Sequence, residues 1–414
     1  MIEFNRFTLA NGLKVIVHED VTTPMAVLNV LYDVGARDEE AGKTGFAHLF
    51  EHLMFGGSVN IPNYDEPLQR VGGENNAFTS NDITNYYITL PSANLETAFW
   101  LESDRMLSLA FSEKSLDTQR NVVMEEFKQR YLNQPYGDVW LKLRPLAYQS
   151  HPYRWATIGQ DLEQIENAKM EDVKAFFAKH YTPQNAILVV GGNVTTDEVK
   201  KLAEKWFEPI PAGNKYERNL PQELPQTEAR TLTVTANVPL NAIYIAFPMP
   251  ARKDPNYQVF DLLGDILSQG QSSRLYNSLL KEQQLFSDIN AYMTGSLDAG
   301  LFIVEGKLVA GVGVDKDQAE RAIWEELNQI SSVLVSEEEL TKVKNKSESI
   351  MAFSEMNLLD KAMNLAYYEL LGDANLLNLE MDKYSAITAA QIMEAAKATF
   401  VKEKSSTLYY LANA

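Results

Sequence analysis

The segment FAHLFEHLMFGG, residues 46–57, places two histidines and a glutamate inside an apolar run. Residues four apart lie on one face of a helix, so His48 and His52 can direct their imidazoles at a single tetrahedral ion. Glu51 precedes His52 and can reach the same side, where a general base takes a proton from a metal-bound water. The apolar flanks predict a buried helix that ends at the two glycines. Buried histidines need partners, and a metal ion supplies them.

The alternative is that the two histidines share a helix face by chance. The chain contains only five histidines, so this spacing around a glutamate makes chance a poor explanation. A catalytic zinc normally has three protein ligands and leaves its fourth position to water. The predicted helix 116–131 carries an acidic pair, Glu125 and Glu126, after an apolar run. The residues alone leave open whether this pair faces solvent or supplies the third ligand.

The composition is that of a globular chain and excludes several kinds of site. With 414 residues, more than one hydrophobic core is expected. A formal net charge of −19 argues against nucleic-acid binding, which requires clustered Lys and Arg. The lack of cysteine excludes disulfides, cysteine zinc sites, iron–sulfur clusters and a catalytic thiol. The sequence has no apolar run of about 18 residues, so no membrane span is predicted.

The first half of the sequence alternates β and helical patterns. The pair Asn11-Gly12, between two segments of β-forming residues, predicts a hairpin. Hydrophobic patterning predicts strands over 25–34, 85–90 and 186–190, and helices over 46–55, 95–109, 116–131 and 197–207. Prolines and polar residues from 209 to 228 indicate a linker.

The second half repeats this order. Residues 241–247 repeat the strand before the metal-binding segment, and residues 260–267 occupy the place of 47–54. The stretch SEEEL at 336–340 matches SEKSL at 112–116, where a helix begins. Coincidental patterning is the alternative explanation.

The repeated order predicts two tandem, homologous α+β domains. The metal-bearing domain is placed at 1–210, the linker at 211–230 and the second domain at 231–414. In the register of the repeat, the places of His48, Glu51 and His52 are taken, in that order, by Asp261, Gly264 and Asp265. Ile350 takes the place of Glu126, so the second copy is expected to be degenerate.

His-x-x-Glu-His is the inverted zincin motif. With a glutamate further along, the chain resembles the pitrilysin-like M16 zinc metallopeptidases over essentially its whole length. It is similar to the short two-domain members, such as subunits of the mitochondrial processing peptidase and bacterial homologues. The resemblance implies two pitrilysin-like domains, each a mainly antiparallel sheet packed with helices. It also implies a clamshell, formed with a second chain or copy, that encloses unfolded peptides.

The resemblance assigns roles to individual residues. The stretch RNVVMEE at 120–126 resembles the family's downstream stretch, in which Glu126 is the third Zn²⁺ ligand and Glu125 the reserve candidate. A second resemblance is to the family's edge strand, which adds an extended substrate backbone to its sheet. The residues of this chain that match that edge strand are Asn76, Ala77, Phe78 and Thr79. An ordinary Asn/Ser-rich loop is the alternative for that segment.

Two departures from the family pattern bear on activity. The family commonly has a glutamate seven residues before its glutamate ligand, and Gln119 stands there. Active members use an Arg and a Tyr in the second domain to polarise the substrate carbonyl, and Leu280 and Ser287 occupy those places. Since such donors are often worth powers of ten in rate, a chain that lacks them is expected either to be slow alone or to take them from a homologous partner subunit.

The predicted function is therefore zinc-dependent endopeptidase activity on peptides, with Glu51 as general base. The alternative is a non-catalytic or regulatory scaffold subunit of a peptidase-like complex. A homo- or hetero-dimer is expected. The first six residues do not form the start of a signal peptide. A bacterial periplasmic location, with a signal already removed, is the expectation, and the cytoplasm is the alternative.

Overall fold

A computed structural model describes residues 1–214, 216–310 and 315–413. Its strands are β1 Asn5–Thr8, β2 Lys14–Glu19, β3 Met25–Tyr32, β4 Glu74–Thr79, β5 Thr84–Pro91, β6 Ala186–Gly192, β7 Arg230–Ala236, β8 Ala242–Pro248, β9 Phe286–Met293, β10 Leu301–Leu308 and β11 Ser406–Ala412. Its α-helices are α1 Phe46–Leu53, α2 Asp65–Arg70, α3 Leu95–Leu107, α4 Glu113–Phe127, α5 Val139–Ala147, α6 Leu162–Glu166, α7 Met170–His180, α8 Thr196–Trp206, α9 Tyr257–Ser268, α10 Lys316–Ser332, α11 Glu337–Ser354, α12 Leu358–Leu371, α13 Glu380–Ala386 and α14 Ala389–Thr399.

The two sheets have the same topology. The first has the strand order β1-β2-β6-β3-β5-β4, and the second has the order β7-β11-β8-β10-β9. In each, one parallel pair, β2 with β6 or β7 with β11, precedes a run of antiparallel pairs. The prediction of two tandem α+β domains built on mainly antiparallel sheets is confirmed. The added strand β1 pairs with β2 as the hairpin predicted at Asn11-Gly12.

The chain folds into two compact units that exchange segments. The first unit contains 1–128, 155–221 and 351–379, and the second contains 129–154, 222–350 and 380–414. The predicted linker at 211–230 separates the strands of the two sheets, apart from the first residue of β7. The exchange was not predicted, because hydrophobic patterning describes neighbours along the chain rather than partners hundreds of residues away.

Helix α12 is the segment that the first unit takes from the second half of the chain. It packs on strands β3 and β6 of the first sheet. Lys361 donates a hydrogen bond to Asp20 at 2.8 Å, and Lys14 donates to Glu369 at 2.9 Å. These charged pairs fix the helix at both of its ends.

The core of each unit lies between its sheet and its helices. In the first unit, strand β6 is buried along its whole length, as its run of apolar residues predicts. In the second unit, apolar residues of β8 and β10 pack against α9, α10 and α14. On the other face of the second sheet, the alternate residues of β8 and β10 pack against α5. The central strands of both sheets are therefore buried on both faces, and the candidate site lies on helix α1 of the first unit.

The four predicted helices of the first half end one to four residues earlier than the pattern indicates, and α1 and α4 illustrate this. Helix α1 stops at Leu53, and the chain then turns, with Gly57 in the left-handed region at a φ of +92°. Helix α4 ends at Phe127 and continues as a π-helix over Lys128–Leu132. Apolar periodicity does not distinguish these windings, so the sequence predicted one helix over 116–131.

Candidate metal centre and active site

Helix α1 is fixed at its N-terminus by a buried carboxylate. Glu39 accepts hydrogen bonds from the backbone N–H of Gly45 at 3.0 Å and of Ala47 at 2.8 Å. These are N–H groups that the first turn of a helix leaves without intrahelical partners. Gly45 has a φ of +87°, and a Cβ there would lie 2.6 Å from the carbonyl oxygen of Ile158. Glu39, which the sequence reasoning missed, therefore sets the direction from which α1 enters the site.

Three predicted ligands converge in the first unit. Helix α1 packs against α4, and this contact brings Glu126 to the face of α1 that carries His48 and His52. Carboxylate Oε2 of Glu126 lies 3.5 Å from Nε2 of His48 and 3.4 Å from Nε2 of His52. The side chains are 13%, 25% and 19% exposed for His48, His52 and Glu126. The donor atoms all lie within 4.8 Å of one another.

These separations fit a tetrahedral zinc ion. Two ligand atoms, each about 2.0–2.1 Å from zinc at the tetrahedral angle, lie about 3.4 Å apart. The observed distances of 3.4 and 3.5 Å match that edge, and both exceed the range of about 2.7–3.2 Å for N–H···O hydrogen bonds. Two imidazole nitrogens and one carboxylate oxygen also form a donor set that zinc favours. The residues present therefore fit the metal that the motif predicts.

The acidic pair on α4 is divided between two environments. Glu125 is 62% exposed and accepts a hydrogen bond from Lys128 at 2.7 Å. Glu126, one residue further along, points to the other side of the helix and lies beside the two histidines. Of the two candidates that the sequence left open, the structure brings Glu126 to the site.

Glu51 projects from α1 towards the end of strand β4. Its Oε2 accepts a hydrogen bond from the hydroxyl of Thr79 at 2.5 Å. Beneath this pair, Tyr86 and Tyr181 bring their hydroxyl oxygens within 3.3 Å of one another. Burial raises the pKa of both tyrosines, and the charge of Glu51 raises it further. Both phenols therefore stay protonated.

Strand β4 forms an edge of the first sheet. In the described part of the chain it pairs with β5 alone, in antiparallel register from Glu74 opposite Thr89 to Thr79 opposite Thr84. Asn76 and Phe78 are exposed, and Ala77 and Thr79 are partly buried. The amide oxygen of Asn76 accepts a hydrogen bond from the backbone N–H of Ala77 at 2.8 Å. The segment is thus a strand rather than the loop considered as its alternative.

Two family models match consecutive parts of the chain. The model described as insulinase, peptidase family M16, matches residues 14–159. The model described as the peptidase M16 inactive domain matches residues 167–347. A protein named zinc protease PqqE from Helicobacter pylori is 31% identical over 412 residues, which cover 97% of this chain and 91% of the relative. The chain belongs to peptidase family M16.

Other relatives of this M16 protein extend the comparison. A crystal structure of a protease from Helicobacter pylori superimposes with a TM-score of 0.91 at 29% identity, covering 99% of this chain and 100% of that one. A probable mitochondrial-processing peptidase subunit beta from Arabidopsis thaliana is 24% identical over 356 residues, which cover 83% of this chain and 66% of the relative. No helix within the described ranges of the M16 chain is long and apolar enough to cross a membrane.

The two residues of the M16 chain that replace the family's Arg and Tyr, Leu280 and Ser287, have ordinary structural roles. Leu280 lies in a π-helix over Tyr276–Glu282 and packs against the apolar core of the second unit. Ser287, near the start of β9, donates a hydrogen bond to the carbonyl of Lys307 at 3.1 Å. Arg274, which lies nearby in sequence, is engaged by Glu339 at 2.8 Å. Neither Leu280 nor Ser287 offers the guanidinium or phenol hydroxyl that the family pattern has there.

Proposed function

We propose that this chain is a zinc-dependent endopeptidase that hydrolyses extended, unfolded peptides. The observation that carries the proposal is the convergence of His48, His52 and Glu126, at separations that fit a tetrahedral zinc ion, beside Glu51. Kinship with proteins named zinc proteases supports it. In this proposal the three side chains hold the metal, and Glu51 is the catalytic base.

Each residue of the site has one task in the reaction. When bound, zinc supplies Lewis-acid polarisation of a water molecule and of the scissile carbonyl. Glu51 accepts a proton from the attacking water and passes it to the nitrogen of the leaving amine. Because this residue lies one position before a ligand on the same helix, the base and the metal keep a fixed geometry.

Strand β4 is the proposed binding site for the substrate backbone. Its outer edge can add a peptide as a further antiparallel strand, which selects an extended conformation with little regard for sequence. A peptide carbonyl that pairs with the N–H of Ala77 has to displace the side chain of Asn76, which occupies that donor. Phe78, which is 40% exposed, offers an apolar contact to a substrate side chain.

A homologous partner subunit is the second part of the proposal. The side chain of Leu280 has no hydrogen-bond donor, and the hydroxyl of Ser287 donates to the carbonyl of Lys307. We therefore propose that a second chain, identical or homologous, supplies the missing guanidinium and phenol. The relative named as a subunit of the mitochondrial-processing peptidase supports this arrangement. The same two residues are the observation that favours the alternative function, a non-catalytic or regulatory scaffold. The periplasmic location stays a prediction, which cell fractionation would test.

The experiment is cleavage of a quenched fluorescent peptide library by the zinc-loaded protein, with and without a chelator. We expect chelator-sensitive cleavage that falls by about 10²–10⁴-fold in Glu51→Gln, because the amide cannot accept the proton. Zinc content should be unchanged in that variant, since Glu51 is not a ligand. Activity that appears only after a homologous subunit is added supports the partner. A folded, zinc-loaded protein that stays inactive with every homologous subunit favours the scaffold.

A further inference from the structure

One contact links the proposed substrate strand to the catalytic base. The hydroxyl of Thr79, the last residue of β4, donates to Oε2 of Glu51 at 2.5 Å, across 28 residues of sequence. Hydroxyl–carboxylate bonds of about 2.5–2.7 Å are among the stronger hydrogen bonds in proteins, because the acceptor is ionised. The contact joins two elements, the edge of the sheet and α1, that carry different parts of the proposed reaction.

The backbone and side chain of Thr79 are constrained, so its hydroxyl can restrict the orientation of a carboxylate. Its backbone is paired with Thr84 in the register of β4 and β5. The turn that follows is closed by a hydrogen bond from Ser80 N–H to the carbonyl of Ile83 at 2.8 Å. A threonine side chain has a restricted χ1, so its hydroxyl points in few directions. The donor therefore stays in place while the longer, more flexible glutamate side chain is oriented by it.

We infer that Thr79 is a positioning residue for Glu51, and that it orients the base relative to a peptide bound along β4. This inference rests on the proposed function. A peptide added to β4 pairs with the strand that also carries the donor, so substrate and base are aligned by one piece of backbone. The hydroxyl of Thr79 acts through Glu51, whereas the proposed pairing of β4 with substrate uses backbone groups of the strand.

The test compares Thr79→Val, which keeps the shape and removes the hydroxyl, with Thr79→Ser, which keeps the hydroxyl. We expect kcat to fall about tenfold or more in Thr79→Val, with KM changed less than about twofold and zinc content unchanged. Thr79→Ser should keep kcat within about threefold of the wild type. Thr233→Val, at an exposed position on β7 of the second unit, is the matched control. A Thr79→Val variant with full kcat, or a loss confined to KM, contradicts the inference.

Two further measurements separate this inference from the proposed function. In a Glu51→Gln background, Thr79→Val should cause no additional loss of rate and no change in the Kd of a bound peptide. An added loss in that background means that Thr79 acts on substrate rather than on the base. Crystal structures of the wild type and of Thr79→Val supply a readout that does not need activity. The Glu51 carboxylate should change its rotamer in the variant, and an unmoved carboxylate overturns the inference even if peptide cleavage is never found.

Discussion

The helices α1 and α9 occupy the same place in two sheets of the same topology, yet their polar residues are used differently. On α1, His48 and His52 meet Glu126 of α4 at distances that fit a zinc ion. On α9, Asp265 meets the ammonium group of Lys346 from α11 at 2.8 Å. The first arrangement brings together donor atoms whose separations fit an added cation, and the second pairs a carboxylate with a cation of the chain itself.

The rest of α9 is adapted to packing and internal hydrogen bonding. Gly264, in the register of Glu51, lets the helix approach the next strand, since a Cβ there would lie 3.3 Å from the carbonyl oxygen of Ala291. Asp261 accepts a hydrogen bond from the hydroxyl of Tyr384 at 2.7 Å. The comparison teaches that the scaffold does not require the metal site. The same helix position can be stabilised entirely by neighbouring side chains.

The largest effect is expected from one substitution made at equivalent positions of the two units, on α4 and on α11. The two variants should differ in zinc content and in peptide cleavage. Glu126→Gln removes a charged ligand, so we expect zinc content to fall and peptide cleavage to drop by about a thousandfold or more. Ile350→Gln, the matched change at an exposed position of the second unit, should alter neither. Metal analysis and kinetic assays check both variants. Zinc bound at full stoichiometry by Glu126→Gln would contradict the assigned ligand.

A smaller effect is expected when the internal cation of the second unit is removed. Lys346→Met leaves the largely buried carboxylate of Asp265 without its ammonium partner. We expect unfolding free energy to fall by about 2 kcal/mol at neutral pH, less than for a fully buried pair because the lysine side chain is 39% exposed. Lys344→Met, on the same helix, is the control, since its ammonium donates to the exposed backbone carbonyl of Ser385 at 2.8 Å.

The decrease in unfolding free energy caused by Lys346→Met should depend on pH. Burial already raises the pKa of Asp265, and Lys346 lowers it, so the variant should have a still higher pKa. A carboxyl group whose folded pKa is raised stabilises the fold when protonated and loses that stabilisation as pH rises through the folded value. The deficit should therefore be largest at neutral pH and shrink in acid. Denaturant unfolding across pH measures it, and a deficit that grows in acid would show that another interaction is responsible.

The smallest effect is expected at Tyr384. Tyr384→Phe removes one hydrogen bond to Asp261, and we expect a loss of about 1 kcal/mol in unfolding free energy. Zinc content and kcat should stay at wild-type values, because the interaction lies wholly within the second unit. Thermal or chemical denaturation and the peptide assay check the two expectations. A changed kcat in this variant would mean that the second unit influences the reaction through more than its fold.

The sequence located most of the candidate site because its signals are local. His48, Glu51 and His52 lie within one and a half helical turns, and helical periodicity alone puts them on neighbouring faces. The third candidate ligand is harder to predict from the sequence. Glu125 and Glu126 are neighbours that point in different directions from one helix, and the sequence does not show which direction faces the histidines. Only packing of α4 on α1 separates them. The family resemblance had favoured Glu126 by its register.

Other features depend on contacts that no local pattern encodes. The sequence identified Thr79 as part of an edge strand, but its bond to Glu51 requires the sheet and α1 to be placed together. Glu39 as the partner of the N-terminus of α1 was missed for the same reason. A carboxylate six residues before a glycine at a helix start is a weak signal, because its reach depends on the intervening loop.

By itself the sequence determined the class of the fold, the order of its repeated halves and the donor atoms offered to a metal. Those properties follow from periodicity, turn residues and spacing along one helix. The tertiary structure decided which segments belong to which compact unit, which glutamate joins the histidines, and which hydroxyl donates to Glu51. These outcomes depend on pairs of residues far apart in sequence, whose meeting is set by how helices pack on a sheet.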